Sequence, residues 1–179
     1  WERRATEADL VWCRVERGDL GEAFRLMWEA DGGPRLDPAR QSTRAELQAY
    51  CGNEDAALAL IAGLEDGTPA SSMVRARVAR SRGDWELASH YALEATKVRS
   101  GAARARLLAA RASIELGRRD EAARLLDQVG QDTAVEALGV AALRAHISGD
   151  DPIQALTLIA ERARQRGAIR VCAEAWADL

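Results

Sequence analysis

The chain is short of the residues that most chemical functions require. Lys97 is the one lysine among 25 cationic residues, there are two histidines, and aromatic residues make up 4% of the 179. The three cysteines, Cys13, Cys51 and Cys172, stand far apart. None has the C-x-x-C spacing of a redox or zinc centre, so they read as reduced core thiols of a cytosolic protein. No apolar run approaches the roughly 18 residues that a spanning helix needs. No stretch has the charged-then-apolar form of a secretory leader. Val, Ile and the aromatics favoured in strands are sparse, which argues against a β-sandwich, a β-barrel or a parallel α/β sheet. The G-x-x-x-x-G-K-[ST] loop that cradles phosphates is missing, as is a G-x-S-x-G elbow. Ser71-Ser72 has no base nearby in sequence, and His90 and His146 have no second ligand three or four residues away. The acid pairs Glu54-Asp55, Asp120-Glu121 and Asp150-Asp151 fall at expected helix starts, where they complement the helix dipole. No catalytic residue, metal site or cofactor is expected.

What is abundant is helix-forming. The chain has 37 alanines, and its apolar and charged fractions are 47% and 30%, enough for a folded core. Its length suits one domain or one segment of a repeat array. Both ends fall in apparently helical sequence, so the chain reads as a piece of a longer protein. Net charge is −3 with a pI near 5.5, so no overall field draws in nucleic acid or membranes. The charge is uneven, however. Residues 1–74 carry −6, residues 75–119 carry +7, and residues 120–179 carry −4. A basic middle between acidic ends is the main electrostatic feature.

An internal period accounts for the alanines. Gly18, Gly52, Gly83, Gly117 and Gly149 are spaced by 34, 31, 34 and 32 residues. Ala23, Ala57, Ala88 and Ala122 each lie five residues after their glycine, and Ala155 fits with one residue inserted. Seven residues before the glycines stand Val11, Ala45, Ala76, Ala110 and Ala142. This phase predicts a helix, a tight turn at a left-handed glycine, and a second antiparallel helix capped by the Asp or Asn that follows the glycine. The small residues let the two helices approach closely. Each hairpin leaves an apolar face that the next one covers, giving a stack.

The phrase Gly83-Asp84-Trp85-Glu86-Leu87-Ala88 and the placement of Pro69 resemble the tetratricopeptide repeat. The resemblance covers nearly the whole chain. It implies an all-α, right-handed α-solenoid of about five antiparallel helix hairpins, with units near 1–33, 39–67, 70–99, 102–130 and 134–166, and a final helix over 168–179 capping the stack. Arg44 and Arg75 depart from the family, because they occupy a position where it prefers leucine. Trp85 is expected between the helices of its own unit and Trp28 at the junction with the second. Trp1 and Trp176 would mark where neighbouring units pack.

In such arrays the first helices line a concave face. By this resemblance Arg77, Arg80, Arg104 and Arg111 point into the groove, and Trp12, Glu46 and Tyr50 join them from the first two units. Guanidinium groups bind carboxylates bidentately, so a protein or peptide with an acidic side chain or free C-terminal carboxylate is the expected partner. The competing reading is that these arginines are balanced by acids of neighbouring units. Another has the segment sensing a small anionic effector, as part of a larger bacterial regulator. The acidic end units argue against RNA, which would need a basic groove along every unit.

Overall fold

The computed structural model describes residues 7–28, 38–64, 67–97, 102–130, 134–148, 152–165 and 167–168. Among them the regular structure is entirely helical: ten helices and no strand. In chain order these are α1 (Glu7–Glu16), α2 (Leu20–Trp28), α3 (Pro38–Tyr50), α4 (Glu54–Ile61), α5 (Pro69–Ser81), α6 (Trp85–Ala95), α7 (Ala102–Glu115), α8 (Arg119–Asp127), α9 (Ala134–Ile147) and α10 (Pro152–Gln165).

The turns form as the glycine phase requires. Gly18, Gly52, Gly83 and Gly117 have φ of 77°, 81°, 73° and 74°. Each donates its N–H three residues back, and the residue after it donates five residues back: Asp19 to Arg14, Asn53 to Gln48, Asp84 to Ala79 and Arg118 to Ser113. That pair of bonds satisfies carbonyls the ending helix would otherwise orphan. Gly167, with φ 69°, repeats the arrangement after α10. Gly149, Trp1, Trp176 and the expected last helix beyond Ala168 lie outside the described residues. Side-chain capping is uneven. The carboxylates of Asp19 and Asp84 accept from the N–H groups of Glu22 and Leu87, whereas Asn53 makes no cap bond and instead donates to Gln48 Oε1. Thr68 caps α5, whose first residue is Pro69.

The small residues on either side of these turns are fully enclosed. Val11, Ala45, Ala76, Ala110, Ala23, Ala57, Ala88 and Ala122 are all at 0% exposure. Within a pair, α1 packs on α2, α3 on α4, α5 on α6, α7 on α8 and α9 on α10. Contacts between pairs run through α3–α5, α5–α7 and α7–α9, and through α6–α7 in particular. The largest apolar cluster draws Met73, Ala92, Leu108, Leu126 and Val140 from five successive helices. Three smaller clusters also cross from one pair to the next, whereas α9 and α10, with Ala168, enclose one between themselves. Trp85 packs against a small cluster made of Ala79 of α5, Ala88 of α6 and Ala112 of α7.

Arg44 is buried at 4% exposure. Its Nε donates to the Met27 carbonyl in the last turn of α2 at 2.8 Å, Nη2 bonds the same oxygen, and Cζ sits 4.7 Å from the centre of the Trp28 ring. A cation on the carbonyl end of a helix complements its dipole, so this buried arginine ties α3 to α2. Arg75 reaches the second helix of its own pair, with Cζ 5.8 Å from the Tyr91 ring of α6.

Three stability changes follow, each measurable by urea unfolding. Gly117→Ala forces a side chain into the left-handed region and costs about 1–2 kcal/mol, although nothing lies within 4 Å of the added Cβ. Gly21→Ala, equally unobstructed and without positive φ, gains up to about 1 kcal/mol. Arg44→Leu costs about 2 kcal/mol because the Met27 carbonyl loses its donor.

Candidate functional site

Six residues before each turn glycine the chain reads Trp12, Glu46, Arg77 and Arg111 on α1, α3, α5 and α7. The first three of these meet. Arg77 donates through Nε at 3.2 Å and Nη2 at 3.0 Å to Glu46 Oε1. Its Cζ lies 5.4 Å from the Trp12 ring centre and 5.7 Å from that of Tyr50. Trp12 and Tyr50 meet edge to face, with centroids 6.3 Å apart at 86°. Arg104, from the first turn of α7, lays its guanidinium 4.3 Å above the Trp12 ring, with Nη1 3.8 Å from the same Glu46 oxygen. Side chains of four helices therefore share one carboxylate and one indole.

The site is semi-enclosed. Exposure of the Arg77, Glu46 and Arg104 side chains is 12%, 13% and 32%. Coulombic attraction is stronger here than between solvated ions. Stacking on aromatic faces contributes further, about 0.5–2 kcal/mol per contact depending on desolvation. Charge does not balance within the cluster. Two guanidiniums face one carboxylate, and Arg104 Nη1 is shut off from solvent without a hydrogen bond among the described residues.

Of the four arginines expected to converge, Arg77 and Arg104 are brought together. Arg111 binds Glu115 one turn along its own helix at 2.8 Å. Arg80 lies half-buried in the last turn of α5. Balancing by an acid of a neighbouring unit describes Arg77, whose partner Glu46 sits on α3.

Turn-to-turn ion pairs were not anticipated. Arg82 at the end of α5 binds Glu54 at the start of α4 at 2.7 Å, and Arg118 pairs with Glu86 in the first turn of α6. The Ser81 hydroxyl, and then Arg82, hold the Glu54 carboxyl below the usual carboxylate range. Burial pushes the Cys51 thiol up, which makes it a poor nucleophile. His90 leans on Tyr91 with ring centres 5.3 Å apart. Among the described residues no group of three His, Cys, Asp or Glu could hold a metal ion, and no helix is long and apolar enough to cross a membrane.

Comparison with models of known families, with curated proteins and with solved structures gives no match.

Glu46→Ala leaves two partly buried guanidiniums without their common carboxylate. It is expected to destabilise the fold by on the order of 3 kcal/mol, the lower end for breaking a buried ion pair. Lys97→Ala, which removes the solvent-exposed pair with Glu94, should cost less than about 0.5 kcal/mol. Parallel urea melts of the two variants test the difference.

Proposed function

We propose that the chain is a non-catalytic binding scaffold, a right-handed tetratricopeptide-like α-solenoid of about five antiparallel hairpins. In this reading the first helices line a groove that takes an acidic segment of a protein partner. Residues 168–179 would close one end of the stack, and the array would serve as the docking segment of a larger regulator.

Support comes from the repeated glycine turns and from the packing of α3, α5, α7 and α9 on one another. One observation carries the functional part: Arg77 and Arg104 share the single carboxylate of Glu46 against Trp12, and Arg104 Nη1 is left without a hydrogen bond. A carboxylate from outside would balance the second guanidinium through the part of the Arg104 side chain that solvent reaches, 32% of it being exposed. Hydrogen bonds to charged groups are worth about 1.5–3 kcal/mol each. The Trp12 and Tyr50 rings supply rigid apolar surface beside it, a combination of residue types enriched where binding energy concentrates.

Fluorescence polarisation against labelled peptides with acidic side chains and free C-termini tests the proposal. Binding is expected, weakening as salt is raised. Arg104→Glu should lower affinity at least about tenfold, the equivalent of one such bond, while the helical circular-dichroism signal is unchanged. A panel that does not bind, or that binds the folded Arg104→Glu variant equally well, overturns it.

A further inference from the structure

On α5, Arg75, Val78, Ala79 and Arg82 follow the i, i+3, i+4, i+7 spacing of a single helix face. That face is the floor of a trough of about 580 Å³ between α4 and α6. Its middle is apolar, Val78 and Ala79 being flanked by Leu58 of α4 and Leu87 of α6. Both ends are cationic, and seven residues at about 1.5 Å rise set the two arginines about 10 Å apart along the helix.

The volume lies within the range of small-molecule sites, about 300–1,000 Å³, which are mainly apolar with a few placed polar groups. Leu87 is 45% exposed, unusual for a large aliphatic side chain set in a concave wall. The one acid in the lining, Asp84, is already engaged in capping α6 through the Leu87 N–H. Arg82 has donors to spare: its bond to Glu54 uses Nε, and no described residue accepts from Nη1 or Nη2. At the opposite end Arg75 is steered over the face of Tyr91.

We propose that this trough binds a small amphipathic carboxylate, its apolar body lying along Val78 and Ala79 between Leu58 and Leu87 and its head group accepting from Arg82 Nη1 and Nη2. The site is separate from the Trp12–Glu46–Arg104 cluster and stands whether or not that cluster binds peptides. Carboxylate recognition is the specific element. A neutral alcohol of equal length would gain the apolar contacts but offer the guanidinium only an uncharged acceptor, the weaker bond.

The probe is anilinonaphthalene sulfonate, an aromatic anion that fluoresces when desolvated, displaced by octanoate or by octanol. Saturable probe binding at one site is expected, with octanoate displacing at about tenfold lower concentration than octanol, the value of a charge-assisted bond. Arg82→Gln should bring octanoate down to the octanol level and leave octanol unchanged. Leu87→Glu should weaken octanoate by at least about tenfold through like charge in the trough. The second variant is expected to fold, because residue 87 is the third of α6 and an acid in a first turn suits the helix. Circular dichroism checks both variants. Arg104→Glu should leave octanoate displacement untouched, which keeps this test apart from that of the peptide groove. No saturable probe binding, equal potency of octanoate and octanol, or wild-type octanoate affinity in both folded variants would overturn the assignment.

Discussion

The carbonyl groups at the end of a helix need donors, and this chain supplies them in the same way at every described first-helix turn. A glycine enters the left-handed region, and two backbone N–H groups turn back onto the helix just completed. The three-residue connection that results fixes where the next helix starts. Because the glycine fixes that start, the residues seven before and five after Gly18, Gly52 and Gly117 fall in one apolar cluster each, small and fully enclosed. Without that reversal the alanine phase would have nothing to register against, and the composition would describe a helix with no particular partner.

A core built largely from alanine is thin. An alanine side chain buries little apolar area, at about 25 cal/mol per Å², so neighbouring pairs are tied together by other means as well. Arginine does this at several levels: Arg44 on the carbonyl end of α2, Arg77 and Arg104 at Glu46, and Arg82 and Arg118 across successive turns. Lysine would serve poorly at these places. A planar fork donates twice to one oxygen while stacking on a ring, as Arg44 does with Met27 and Trp28, and a flexible ammonium does neither. The exposed pairs add little individually. The enclosed ones hold position because each guanidinium is fixed both by an oxygen and by an aromatic face.

Local constraints were legible in the sequence. A left-handed glycine followed by a helix start is decided within about six residues, and so the turns at Gly18, Gly52, Gly83 and Gly117 could be placed from spacing alone. The enclosed alanines followed from the same phase. Arg44 was not legible, because a buried arginine is explained by its acceptor, and that acceptor is the end of a different helix, seventeen residues earlier. Within the arginine patch the pairing of Glu46 with Arg77 had a usable signal, since both stand six before their glycines on adjacent units. For Arg104 and Trp12 the resemblance gave a shared face but not the contact: it joins α7 to α1, and that distance depends on how several helix pairs pack in succession. Charge counting found the basic middle but could not separate an arginine neutralised on its own helix, such as Arg111, from one brought to a distant ring.

Helix α5 is where the two candidate sites come nearest to sharing structure, and its geometry keeps them chemically apart. At about 100° per residue, Arg77 is turned about 200° from Arg75 and a similar angle from Arg82. The face carrying Arg77 meets Glu46, Trp12 and Tyr50, and the face carrying Arg75, Val78 and Arg82 meets α4 and α6. No side chain belongs to both. A substitution on one face therefore changes the donors and charge there without altering those on the other. Any influence of one occupant on the other has to pass through displacement of α5 as a rigid body. That displacement is resisted at Ala76, enclosed completely between the two faces, and at the fixed turn of Gly83. The same alanines that let the helices approach closely thus leave little room for one to slide, and the arrangement favours two independent sites over a coupled pair.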